Sequence, residues 1–138
     1  MRAFLDTNIL LDGVLSRDKS LFSKNAAAII KMGREGTVEL CMSILSISTI
    51  AYVIKNVTSA KKKSIIQDLC SVVHVLPSLP EHVDAMLKSP LRDIEDAFQL
   101  LSAMEGGCDL IVTRDLEDFR LSEIPAISPE DFLSRILE

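Results

Sequence analysis

The chain has 138 residues, 48% hydrophobic and 25% charged, a balance that excludes a disordered polypeptide and predicts one domain, residues 1–138, with a single core. A net charge of −5 argues against broad electrostatic adhesion to nucleic acid, although an acidic metal site acting on nucleic acid stays open. Three scattered cysteines without a C-x-x-C pair exclude a disulfide framework and a zinc cluster. With no secretory signal and no apolar run near about 20 residues, they predict a cytoplasmic protein without a membrane span.

In chain order, Ala3 to Leu5 reads as a short strand that runs straight into Asp6-Thr7-Asn8. A helix cap and a metal ligand both explain a carboxylate at that exit, and Asn8 is expected to do the capping. A helix is predicted from about Ser20 through Ala27, Ile30 and Arg34, ended by Gly33 and Gly36. Thr37 to Cys41 is a second strand. The stretch from Ser43 to Lys55 is rich in β-branched residues, which favour strand. Its apolar residues Ile44, Ile47, Ile50, Ala51 and Ile54 nevertheless recur at helical spacing, which predicts a mostly buried helix. A basic helix follows around Lys61-Lys62-Lys63, with Ile65, Ile66 and Leu69 as its apolar face.

Val72 to Leu76 is a third strand, closed by Pro77. Pro80 is placed for the first turn of a helix through Val83, Met86 and Leu87 that stops near Pro90. From Asp93 to Glu105, the residues Ile94, Ala97, Phe98, Leu101 and Met104 form one apolar stripe, stopped by Gly106-Gly107. Leu110 to Val112 is a fourth strand, followed by the polar turn Thr113-Arg114-Asp115 and then Asp118-Phe119. Ile124 to Ile127 is a short fifth strand. Ser128-Pro129-Glu130-Asp131 starts a last helix that docks through Phe132, Leu133 and Ile136.

This alternation predicts βαβ units and an α/β fold whose mainly parallel sheet is covered on both faces. In such sheets functional groups gather beyond the carboxyl ends of the strands. Asp6 follows the first strand and Asp115 the fourth, so both belong at one edge. Asp93 and Asp96 are three apart and share a helix face. Taken singly, each acid has an ordinary explanation: a cap for Asp6, a helix-start acid for Asp93, turn residues for Asp115 and Asp118. Joint placement is what ordinary explanations do not predict. Converging carboxylates repel unless cations neutralise them, and hard ions such as Mg²⁺ or Mn²⁺ suit oxygen ligands. His74 and His82 lack partners at ligand spacing, the Lys61-Lys62-Lys63 run reads as a solvated face, and no Gly-rich phosphate loop is present.

"FLDTNILLD" and "DIEDAFQLLSAMEGGCDLIVTRDLEDF", with the element order between them, resemble the PIN domain, and most closely the small VapC-like PIN proteins of bacteria. The resemblance implies a three-layer α/β/α sandwich with about five strands, and an acid cluster that binds Mg²⁺ or Mn²⁺ and hydrolyses RNA. It further implies a homodimer and, for a toxin, an antitoxin partner. Carried over by motif, Asp6 is the first acid, Asp96 the helix acid and Asp115 the acid after the fourth strand, with Asp118 its alternative. Thr113 matches the hydroxyl at that strand end, and Thr7 and Asn8 complete the opening motif. The family's Glu in the helix after the second strand is missing, and Thr49 stands in its place.

Asp93 or Glu95 compensates for that loss, or metal affinity is lowered, or the chain no longer cuts. The expected function is a metal-dependent ribonuclease, with a toxin as its narrower form. The alternative is a degenerate module that binds RNA or a protein partner without cleavage. A phosphotransfer fold fits less well. A HAD phosphatase expects Asp where Asn8 stands, and a receiver expects an acid after the third strand and a Lys after the fifth.

Overall fold

The computed structural model describes residues 1–15 and 20–137. In chain order the elements are β1 (Arg2–Leu5), α1 (Thr7–Leu15), α2 (Leu21–Arg34), β2 (Glu39–Ser43), α3 (Ile44–Val53) and α4 (Ser59–Cys70). They continue with β3 (Val73–Leu76), α5 (His82–Leu87), α6 (Ile94–Glu105), β4 (Leu110–Val112), β5 (Ala126–Ile127) and α7 (Pro129–Ile136). The strands form a five-stranded sheet of order β3-β2-β1-β4-β5, and every neighbouring pair is parallel. All five expected strands are present, and the sheet is wholly rather than mainly parallel.

Strand geometry sends successive side chains to opposite faces, and the core divides accordingly. Ala3 and Leu5 of β1, Leu40 and Met42 of β2, and Leu110 and Val112 of β4 join Ile9, Ile29, Ile50, Leu69 and Phe132 on one face. Phe4, Cys41 and Ile111 face the other way, among Leu91, Ala97, Leu100 and Phe119. Register puts Phe4 beside both Cys41 and Ile111, so the three make a single row across the sheet. Helices therefore cover both faces, which gives the α/β/α layering. β1, in the middle, buries Ala3, Phe4 and Leu5 completely.

The helix starts obey local chemistry. Ser20, Ser43, Thr58, Asp93 and Ser128 each accept a hydrogen bond at an N-terminus from a backbone N–H of the first turn. The three cysteines are free, and no described helix is long and apolar enough to cross a membrane.

The helix that follows Asp6, α1, buries Ile9 and Leu10 on one side of a short element. Three expectations are corrected. α3 is not mostly buried: Ser46 and Ile50 are, while Ile44, Leu45 and Tyr52 are exposed, Tyr52 at 76%. Apolar residues occupy every side of α3, so its composition could not distinguish the covered side. On α6 the buried face is Ala97, Gln99, Leu100, Ser102 and Ala103, with Ile94 61% exposed and Met104 also exposed. Close approach to the sheet favours the small Ala97, Ser102 and Ala103 there, beside Leu100 and Gln99, and Ile94 and Met104 are rotated outward. Pro80 lies in the turn before α5, which starts at His82.

The same close approach fixes Gly106, the residue that ends α6. Its φ of −81° suits any residue, but a Cβ there would run into both terminal methyl carbons of Leu76 at the end of β3. Gly106→Ala is expected to lower stability by about 1–3 kcal/mol through overpacking, read by urea denaturation.

Candidate metal centre at the carboxyl edge of the sheet

Asp6 is where β1 becomes α1. Its N–H donates to the Val112 carbonyl at 3.0 Å, one more rung beside β4, while its own carbonyl accepts from Ile9 and Leu10 at 3.0 and 3.3 Å. Asp6 therefore stands at the cap position of α1, and Asn8 does not cap. Asn8 lies in the first turn, and its Nδ2 donates to Asp115 Oδ2 at 3.1 Å.

The Asp6 side chain is only 4% exposed, and both of its oxygens are held. Oδ1 accepts from the Thr7 N–H at 2.8 Å and from Gln99 Nε2 at 3.4 Å. Oδ2 accepts from the Thr113 hydroxyl at 2.8 Å. Thr113 Oγ1 in turn accepts from the Asp115 N–H at 2.9 Å, so one buried hydroxyl ties the ends of β1 and β4 together.

Below Asp6 lies a neutral ring. Gln99 Nε2 donates to Thr7 Oγ1, Thr7 Oγ1 pairs with Ser46 Oγ at 2.8 Å, and Ser46 Oγ donates back to Gln99 Oε1 at 3.5 Å. Glu95 Oε1 is a second acceptor for the Thr7 hydroxyl, at 3.5 Å. Sequence reasoning missed both Ser46 and Gln99. The available signal was a polar residue one turn after Asp96 within an otherwise apolar run, and a serine early in a helix of isoleucines.

The remaining expected residues fall as follows. Asp93 caps α6, its Oδ1 accepting from the Asp96 N–H at 2.9 Å. Asp96 is half-buried in the first turn of that helix, and Asp115 and Asp118 are exposed in the turn after β4. Thr49 is one turn beyond Ser46, and its hydroxyl donates to the Leu45 carbonyl of its own helix at 3.2 Å. The α3 side chain that touches the Asp6 cluster is thus Ser46.

Burial, the larger cause, and the charges of Asp115 and Glu95 push Asp6 up from 3.8 to about 6, against the opposing bonds from Thr113 and Thr7. Asp96 is pushed up from 3.8 to about 7, first by burial and then by Asp93, Asp6, Asp118 and Asp115 together. Four other carboxylates act on one. Among the described residues no Lys or Arg forms an ion pair with any of these acids. Arg114, between Thr113 and Asp115 in sequence, turns away: its Nε pairs with Asp12 at 3.0 Å and its guanidinium lies over the Phe22 ring, 4.4 Å from the centroid.

The donor set is hard oxygen without imidazole or thiolate, and its uncompensated charge fits a divalent cation such as Mg²⁺ or Mn²⁺. Among the described residues no three acidic, His or Cys side chains stand close enough to hold an ion as placed, so binding has to draw carboxylates inward.

A model of the PIN domain matches residues 2–117. Ribonuclease VapC1 of Aquifex aeolicus (strain VF5) is 23% identical over 97% of this chain and 94% of its own length. Among solved structures, VapBC2 from Rickettsia felis bound to a promoter DNA fragment superposes with a TM-score of 0.65. It is 14% identical over 93% of this chain and 98% of that one. VapBC-1 from nontypeable Haemophilus influenzae gives 0.64 at 18% identity, over 94% and 99%. These structural likenesses establish the fold.

Two outcomes follow from the geometry. Gln99→Leu removes one hydrogen-bond partner from each of the buried Asp6, Thr7 and Ser46 and is expected to cost about 1–3 kcal/mol in denaturant unfolding. Asp6 and Asp96 hold their protons more tightly folded than unfolded. Metal-free stability is therefore lost as pH rises from 3.8 towards about 6 and about 7. Asp96→Asn removes that half-buried charge. Its Tm without metal is expected to exceed that of the unaltered protein at about pH 7.5, with the gap closing near about pH 4.

Proposed function

The chain belongs to the PIN domain family, and on that premise we propose that it is a metal-dependent endoribonuclease whose Asp6, Asp96 and Asp115 hold one or two Mg²⁺ or Mn²⁺ ions. The observation that carries this reading is the shared field of uncompensated acids at the ends of β1 and β4, felt most strongly at Asp96. When bound, the metal supplies Lewis acidity that makes water a nucleophile at neutral pH and stabilises charge on a phosphodiester.

The chain's own residues have distinct parts. Asp6 is oriented by the Thr7 N–H and the Thr113 hydroxyl, so that its carboxylate does not have to be ordered when the site assembles. Asn8 steadies Asp115, Asp93 fixes the start of α6 beneath Asp96, and Asp118 is a further acid within reach of the same field. Thr49 brings no charge, so Asp118 and Glu95 would have to provide what the family's missing acid supplies. In the hydrolysis, water adds to phosphorus and the P–O3′ bond breaks, leaving a 5′-phosphate and a 3′-hydroxyl.

The named relative is a ribonuclease, and two similar solved structures are VapBC proteins, which supports reading this chain as a toxin acting on cytoplasmic RNA. An antitoxin partner and a homodimer belong to the same proposal. The uncharged Ser46 and Thr49 on α3 favour a second reading, a PIN module that binds RNA or a protein without cutting it.

Incubation of RNA with the protein and Mn²⁺ is expected to give cleavage that EDTA stops and Asp6→Asn reduces to background. Cleavage indifferent to both would refute the nuclease reading. Calorimetry that detects no Mn²⁺ binding, together with intact RNA, would favour the binding module.

A further inference from the structure

A cleft of about 510 Å³ opens beside the acids, between the loop that leads into α6 and the turn that follows β4. Asp93 and Asp118 line it, and both charges act on Asp96, so the cleft continues from the candidate metal centre. The same two segments bring Arg92 and Arg120 into it.

A polyanion approaching a group of acids is repelled unless cations flank its path, and at a net charge of −5 such cations have to stand close to the acids themselves. Four other basic side chains are engaged away from the cleft. Arg2, Lys31, Arg34 and Arg114 pair with Glu39, Glu35, Asp68 and Asp12. Lys61 lines a separate groove formed by α1, α2 and α4.

Arg92 lines the cleft and forms no ion pair among the described residues. Arg120 pairs with Glu117 at 3.2 Å, but both side chains are largely exposed, at 66% and 83%. A surface pair of that kind contributes little and yields readily to a stronger acceptor. Phosphate is such an acceptor, since the guanidinium fork matches its oxygens with two parallel hydrogen bonds.

We propose that this cleft binds the RNA backbone on one side of the bond to be cut, with Arg92 and Arg120 pairing with its phosphates. The proposal rests on the nuclease reading above and adds the direction in which the substrate strand leaves the acids. Among the described residues no aromatic side chain lines the cleft, so bases find no stacking platform from them. Contact is through the backbone and tolerates many sequences.

The test is fluorescence anisotropy with a labelled single-stranded RNA of about ten nucleotides, with Ca²⁺ in place of Mg²⁺ so that binding is read without turnover. Arg92→Ala and Arg120→Ala are each expected to weaken binding about tenfold. Each should also lower the slope of log affinity against log salt by about 0.7. Arg92→Lys, which keeps charge but loses the fork, should fall between Arg92→Ala and the unaltered protein. Arg34→Ala, far from the cleft on α2, should bind as the unaltered protein does.

An Arg92→Ala/Arg120→Ala double variant with unchanged affinity and salt slope overturns the proposal, as does the absence of saturable binding by the unaltered protein. The two readings fail separately. Cleavage with a silent double variant removes only the cleft assignment, and arginine-dependent binding without Mn²⁺-dependent cleavage removes only the nuclease.

Discussion

The organisation of this protein turns on one buried carboxylate. Asp6 is taken out of water at the end of the central strand, a costly place for a charge unless its oxygens are met by donors. Thr7, Thr113 and Gln99 meet them, each from a different part of the chain: the first turn of α1, the end of β4 and the middle of α6. Satisfying this carboxylate therefore requires the two central strands and a helix on the opposite face to be in place together. The site is a consequence of the fold closing correctly.

Topology explains why the site stands where it does. The strand order β3-β2-β1-β4-β5 reverses direction between β1 and β4, so the chain leaves these neighbours towards opposite faces of the sheet. A crevice opens at such a switch point, beyond the carboxyl ends of the strands. Asp6 and Thr113 occupy that junction, Asp115 follows within two residues, and α6 presents Asp96 from the side. Every strand runs parallel, so each strand end that could carry a functional group faces the same edge.

Much of this was legible in the sequence because strand ends and helix starts are local events. Asp6 and Asp115 could be placed at one edge from the alternation of elements, and Ser128 or Asp93 from capping chemistry. What escaped depended on side chains meeting across elements. Asn8 was expected to cap, yet Asp6 takes the cap position two residues earlier, which frees the Asn8 amide for Asp115. Gln99 and Ser46 are polar residues in apolar helices, and nothing in their own segments says which face is covered. The same ambiguity misled the reading of α3 and α6: Ser46 is buried beside Ile50 while Ile44 is exposed, and Ala97, Ser102 and Ala103 are buried beside Leu100 while Ile94 and Met104 are exposed. Thr49 was the sequence position in question, whereas Ser46 is the α3 side chain that reaches Asp6's neighbours.

The ring formed by Gln99, Thr7 and Ser46 has a sense of circulation. With the amide donating to Thr7, the hydroxyl protons can pass the direction on through Ser46 and back to the Gln99 carbonyl. That orientation keeps an N–H, and never a carbonyl oxygen, facing Asp6. None of the three members ionises near neutral pH. The acids above can therefore exchange protons or cations while the layer beneath them keeps the same polarity, a fixed reference against which the charged part of the site changes state.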